Sequence, residues 1–164
     1  MTLTIINDAE VVGGITMIRT FIQLFPVGFF SAGVGIGLGA DSRGTTYDTP
    51  TLIVQAISRT SVDAETAQEY DPAKYSNILA IYFEALIGIG NAGRTMLVEV
   101  YNVTDSVAIT GTELSSTSTV TERKRTDDIK ANMPTTAKML SLRVKHITDV
   151  GICSRAQIII DQGV

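Results

Sequence analysis

Few side chains in this sequence are of the types that make and break bonds, and their spacing is poor for it. His146 is the single histidine and Cys153 the single cysteine. A Ser–His–Asp relay would need His146 as its base, and a zinc site built on two imidazoles is ruled out by count. His146 closes a run that also carries Arg143 and Lys145, which reads as the end of a strand with a wet face. Cys153 lies among Ile152, Ala156 and Ile158, the setting of a small buried hydrophobe, and nothing local would lower its pKa. A lone cysteine also forbids an internal disulfide.

The acids Asp63, Glu65, Glu69 and Asp71 could offer oxygens to calcium, which takes six to eight of them. Their spacing does not match a calcium-binding loop, so they read as a solvated strand and turn, as do Asp127 and Asp128. Gly33-Val34-Gly35-Ile36-Gly37 lacks the spacing and the lysine of a phosphate loop. Arg123-Lys124-Arg125 is the one dense basic spot, and strand alternation sends Arg123 and Arg125 to one side, Glu122 and Lys124 to the other. Those charges could meet an acidic surface or a phosphate, or simply guard a sheet edge. Asn102-Val103-Thr104 is a formal glycosylation sequon, taken as accidental. The expectation is a protein with no cofactor and no metal that is not an enzyme.

Bulk composition points the same way. Of 164 residues, 18% are charged and 45% hydrophobic, enough for one domain with a real core. A formal net charge of −4 argues against nucleic acid as the main partner. The opening MTLTIINDAE lacks a basic stretch, so no secretory signal is expected.

The elements that must carry these residues are strands. Short apolar-alternating runs predict strands near 51–58, 64–70, 78–88, 95–103, 107–114, 117–126, 139–147 and 155–161. Turns fall at Asp71-Pro72-Ala73-Lys74, Gly90-Asn91-Ala92-Gly93, Thr104-Asp105-Ser106 and Asn132-Met133-Pro134. The run 95–103 is apolar on both sides, whereas 139–147 places Leu140, Leu142 and Val144 opposite Ser141, Arg143 and Lys145. Tyr82 and Tyr101 sit inside runs that read as buried, leaving Tyr47, Tyr70 and Tyr75 as edge or loop aromatics. The predicted fold is all-β, an antiparallel jelly-roll-type β-sandwich over residues 46–164.

Residues 1–45 form a separate expectation, an extended N-terminal arm. Thr20 to Ala40 carries no charge and holds Phe21, Phe25, Phe29 and Phe30, four of the five phenylalanines. Such a length could cross a bilayer, but Pro26 and the run of glycines make a poor helix. Gly33, Gly35, Gly37 and Gly39 alternate with Val34, Ile36 and Leu38, leaving one face of an extended chain bare for close approach. The arm is expected to bridge to a neighbouring subunit rather than enter a membrane. Deleting residues 1–40 would on that reading leave a soluble body.

Asp71-Pro72-Ala73-Lys74-Tyr75, Ile81-Tyr82-Phe83-Glu84-Ala85, Val100-Tyr101-Asn102-Val103-Thr104-Asp105 and the following Ser115-Ser116-Thr117-Ser118-Thr119 carry a resemblance. Over roughly residues 64–161 the chain is similar to β-sandwich (jelly-roll) domains of tailed-bacteriophage virion proteins, most of all capsid decoration (cement) proteins. The resemblance implies a structural role on the virion surface, made in the host cytoplasm. It also implies a homo-oligomer, typically a trimer, bound to the major capsid protein or other virion proteins. A glycan- or receptor-binding module of a tail or fibre is the alternative. The interface residues expected are Phe21, Phe25, Phe29, Phe30, Gly33, Gly35, Gly37, Gly39, Arg123 and Arg125.

Overall fold

Alternating apolar residues fold the chain into two antiparallel sheets that pack face to face, the β-sandwich expected from the sequence. A computed structural model describes residues 8–12, 15–24, 28–31, 67–147 and 150–163. The strands are β1 (Asp8–Val12), β2 (Ile15–Gln23), β3 (Gly28–Ser31), β4 (Gln68–Tyr70), β5 (Ile78–Ile89), β6 (Met96–Asn102), β7 (Val107–Ala108), β8 (Leu114–Ser116), β9 (Glu122–Arg125), β10 (Lys138–Ile147) and β11 (Val150–Gly163). The larger sheet runs β1-β2-β11-β5-β9, with β3 also on β11. The smaller runs β4-β10-β6-β7, with β8 also on β6.

The core lies between the sheets. From the larger one come Ile81, Phe83, Ala85 and Ile87 of β5 with Ala156, Ile158 and Ile160 of β11. From the smaller come Met96, Val98 and Val100 of β6 with Leu140, Leu142 and Val144 of β10. Each alternates with residues of the opposite face, so a slip of one position would turn the whole apolar set outward. Burial at about 25 cal/mol per Å² makes such a slip costly.

Two predicted strands are shorter than expected. The run 107–114 divides into β7 and β8, because Thr110-Gly111 turns with Gly111 at φ +83, a left-handed conformation that favours glycine. Beyond that turn the Thr112 hydroxyl accepts from the Val100 amide at 3.0 Å and donates to the Ile109 carbonyl at 2.7 Å. A side chain thus replaces a ladder bond. The run 117–126 keeps only β9, and the chain beyond it uses the same device. Thr126 Oγ1 accepts from the Phe83 amide at 3.0 Å, and Asp128 Oδ1 from the Ile81 amide at 2.9 Å. By contrast the run 155–161 lengthens to 150–163, with a bulge between Cys153 and Arg155. The turn at Asp71 is a 3-10 turn over Pro72–Lys74, capped by the Asp71 carboxylate accepting from the Ala73 amide at 3.0 Å. The predicted strand at 51–58 lies outside the described residues.

The N-terminal segment is extended, and its described part is committed to the molecule's own sheet. β2 pairs antiparallel with β11, Ile22 opposite Ile158 and Thr20 opposite Ile160. The Leu24 amide donates to the Ala156 carbonyl at 2.7 Å, and β3 then continues along the same edge from Gly28–Cys153 to Ser31–Val150. Ile22 and Leu24 are buried in the sandwich core. Removing residues 1–40 would therefore take β1, β2 and β3 from the larger sheet, and with them the buried Ile22 and Leu24. Phe25, Gly33, Gly35, Gly37 and Gly39, with the boundary at 45, lie outside the described residues.

Candidate functional site

Strand register assembles the outer face of the larger sheet from four distant stretches of sequence. In one row Arg155 of β11, Leu86 of β5 and Arg123 of β9 stand side by side. The next row is Gln23, Gln157, Glu84 and Arg125. Then come Phe21, Ile159 and Tyr82, and finally Arg19, Asp161 and Ala80. Phe21 is half-buried beside Ile159, whereas of Phe29 and Phe30 only their register opposite Ile152 and Gly151 is described.

The polar groups on this face are tied to one another. Arg123 Nε donates to Glu84 Oε2 at 2.6 Å, and Gln157 Nε2 donates to Glu84 Oε1 at 3.0 Å. Glu84 is buried, yet both of its oxygens have donors, which is what makes a buried carboxylate tolerable. Arg125 stacks its guanidinium 3.9 Å from the centre of the Tyr82 ring, a contact worth about 0.5–1 kcal/mol where it is exposed. Arg19 grips Asp161 with two parallel bonds of 2.6 and 2.7 Å. Against these pairs Arg155 differs. It is exposed, and its guanidinium has no hydrogen-bond or ion-pair partner among the described residues.

The face is bounded by a strap. A Cβ added at Gly88 would meet the Thr121 amide nitrogen and Cα at 3.1 Å, so only glycine lets residues 120–121 cross there without a shift. The strap holds Val120 at 72% exposure beside the arginine row.

The smaller sheet repeats the device in closed form. Arg143 pairs with buried Glu99 and lies 4.2 Å from the Tyr101 ring centre. Ser141 on the same face is fully buried and Arg143 half-buried, so at these two positions the face expected to be wet is packed, with ion pairing and ring stacking absorbing the polarity of Arg143. Tyr82 and Tyr101 are half-exposed under arginines rather than buried in the core. Tyr70, expected at an edge, is buried and stacked on Tyr75 with ring centres 6.0 Å apart. Burial, with a smaller contribution from Tyr75, pushes the Tyr70 phenol up to about 12.

At one end of the smaller sheet a shallow polar cleft of about 370 Å³ is lined by Asn102, Asp105, Asn132, Thr135 and Lys138 among others. Lys138 Nζ lies 2.8 Å from Asp105 Oδ1, and Asn102 Nδ2 donates to Oδ2 at 2.8 Å. The Lys138 hydrogen bond, helped by Asn102, holds the Asp105 carboxyl below its ordinary range. Asn102 of the sequon is buried, and its amide oxygen accepts from the Asp105 amide.

The remaining sequence candidates have structural placements. Cys153 is buried at the β11 bulge, and desolvation pushes its thiol up to about 12, so it is a poor nucleophile. His146 stands in β10 opposite Leu97. Glu69 pairs with Lys74, Asp71 caps its turn, and Asp128 also accepts from the Lys130 amide; Asp63 and Glu65 lie outside the described residues. Among the described residues no cluster of three His, Cys, Asp or Glu side chains could hold a metal, and no helix is long and apolar enough to cross a membrane. Alternation singled out Arg123 and Arg125, but Arg155 and Glu84 required the register. No protein-family model matches the chain, and no curated protein matches it significantly.

Proposed function

We propose that the chain is a structural protein of a bacteriophage virion, a capsid decoration protein that stabilises a shell by bridging neighbouring subunits. The observation that carries this reading is the outer face of the larger sheet. There Glu84, Gln157 and Tyr82 fix arginines that remain exposed, Arg123 at 64% of its side chain. A face whose side chains are already ordered loses less entropy when it docks, which suits adhesion to another protein. The resemblance of the motifs from Asp71 to Thr119 supplies the virion context. In this reading the protein binds copies of itself, as a trimer, and the major capsid protein, and it is not an enzyme.

Two measurements test it together. Light scattering should give a mass of about 53 kDa, three times the 17.6 kDa chain, and mass spectrometry should find the chain in purified virions. A monomer at micromolar concentration that is absent from virions would refute the proposal. The cleft beside Asp105 and Lys138 favours a second reading, a tail or fibre module that holds a glycan or receptor. A glycan array separates the two, because a decoration protein should bind nothing on it.

A further inference from the structure

We infer that the exposed arginines of the outer face receive an extended acidic polypeptide segment, one with carboxylates at alternate positions. This deepens the docking role proposed above and rests on it. Of Arg123, Arg125 and Arg155, only Arg123 pairs with a carboxylate among the described residues, that of Glu84, which Gln157 also engages. Arg125 stacks on the Tyr82 ring, and among the described residues neither it nor Arg155 has an ion-pair partner. The patch therefore carries surplus positive charge on a chain whose net charge is −4, so it is not the average property of the surface.

Geometry selects the form of the partner. Arg123 and Arg125 occupy alternate positions of β9, so their backbones stand about 7 Å apart along the strand. Arg155 and Arg123 flank Leu86 from the two neighbouring strands, about 10 Å apart across the sheet. An extended chain repeats same-side carboxylates at that 7 Å interval. Each guanidinium can take a carboxylate through two parallel hydrogen bonds. Half-buried Leu86 and exposed Val120 offer apolar contact between and beside those charges.

The probe is a fluorescent peptide of Glu-Thr repeats, read by anisotropy against the full chain in low salt. Binding should weaken steeply with added salt, as exposed pairs are screened. Arg155→Gln should weaken it about fivefold, since exposed charge pairs are individually modest. Arg155 holds no pair among the described residues, so this variant should melt like the parent, and the Arg123→Gln, Arg155→Gln double variant should lose more than tenfold. A peptide of equal charge with glutamates at every third position should bind severalfold more weakly. Absence of binding, equal affinity of the Arg155→Gln variant, or equal affinity for the respaced peptide would each overturn the inference. So would tighter binding of oligo-dT, which would point to phosphate. Failure here with the chain still trimeric and present in virions would sink this inference and leave the proposed function standing.

Discussion

Leu24→Ala asks most directly whether the N-terminal segment belongs to the body. Leu24 is fully buried, in contact with the shared core, and its amide is bonded to β11. Truncating a fully buried leucine costs about 2–5 kcal/mol, through lost transfer energy and the cavity left behind. Strand β2 lies near one side of the sandwich, where the surroundings can partly collapse, so about 3 kcal/mol is the working figure. For a chain of this size each kcal/mol lowers Tm by about 2–4 °C, giving a fall of about 6–12 °C. Urea denaturation followed by circular dichroism should show a lower midpoint with an unchanged m-value, because the surface exposed on unfolding is the same. Leu79→Ala serves as the control, since Leu79 is 40% exposed and should cost under about 1 kcal/mol. If Leu24→Ala melts with the parent while subunit association is lost, β2 is an arm for a neighbour and its placement on β11 is refuted.

Three other outcomes follow from the geometry. Gly88→Ala should destabilise by about 1–3 kcal/mol by urea titration, because the atoms it would crowd are the backbone of Val120 and Thr121, not a movable side chain. Arg123→Ala strands the buried Glu84 carboxylate with Gln157 alone; discounted for the exposed guanidinium, the cost should be about 1–2 kcal/mol. Glu84→Gln should cost less, since a neutral amide leaves no uncompensated charge, and the double variant should be less destabilised than the sum; strict additivity would contradict the pairing. Tyr70 has its phenol pushed from 10.0 to about 12, so between those pH values the unfolded chain gives up a proton that the native chain keeps. Stability should therefore fall as pH rises through that window, and Tyr70→Phe should flatten the decline in a pH series of urea midpoints.

Alternation alone located β5, β6 and β10, because each keeps a two-residue rhythm with one face on the core, broken in β10 only near its end, at the register shift between Val144 and His146. It misplaced the strands from 107 to 126 for a definite reason. There Thr112, Thr126 and Asp128 satisfy neighbouring amides with their side chains, and such exchanges leave no periodic trace. Arg155 was hidden by the bulge after Cys153. Counting by twos from that buried cysteine would turn Arg155 inward, whereas the extra residue sends it out beside Leu86. Ile22 and Leu24 are apolar, but their partner strand lies more than a hundred residues away. No local pattern announces such a pairing.

That distance has a consequence for how the protein is made. The larger sheet seats β11 between β2 and β5, so its middle strand is the last of the described strands to be synthesised. Until residues 150–163 leave the ribosome, β2 and β5 each lack their shared partner, and their apolar residues stay open. Contacts of such long sequence separation close slowly and leave strand edges unpaired meanwhile. The nascent chain therefore passes through an interval in which it is most vulnerable to aggregation, ended only by the arrival of β11. Expression temperature and chaperone supply should govern its yield more than the charge of its finished surface.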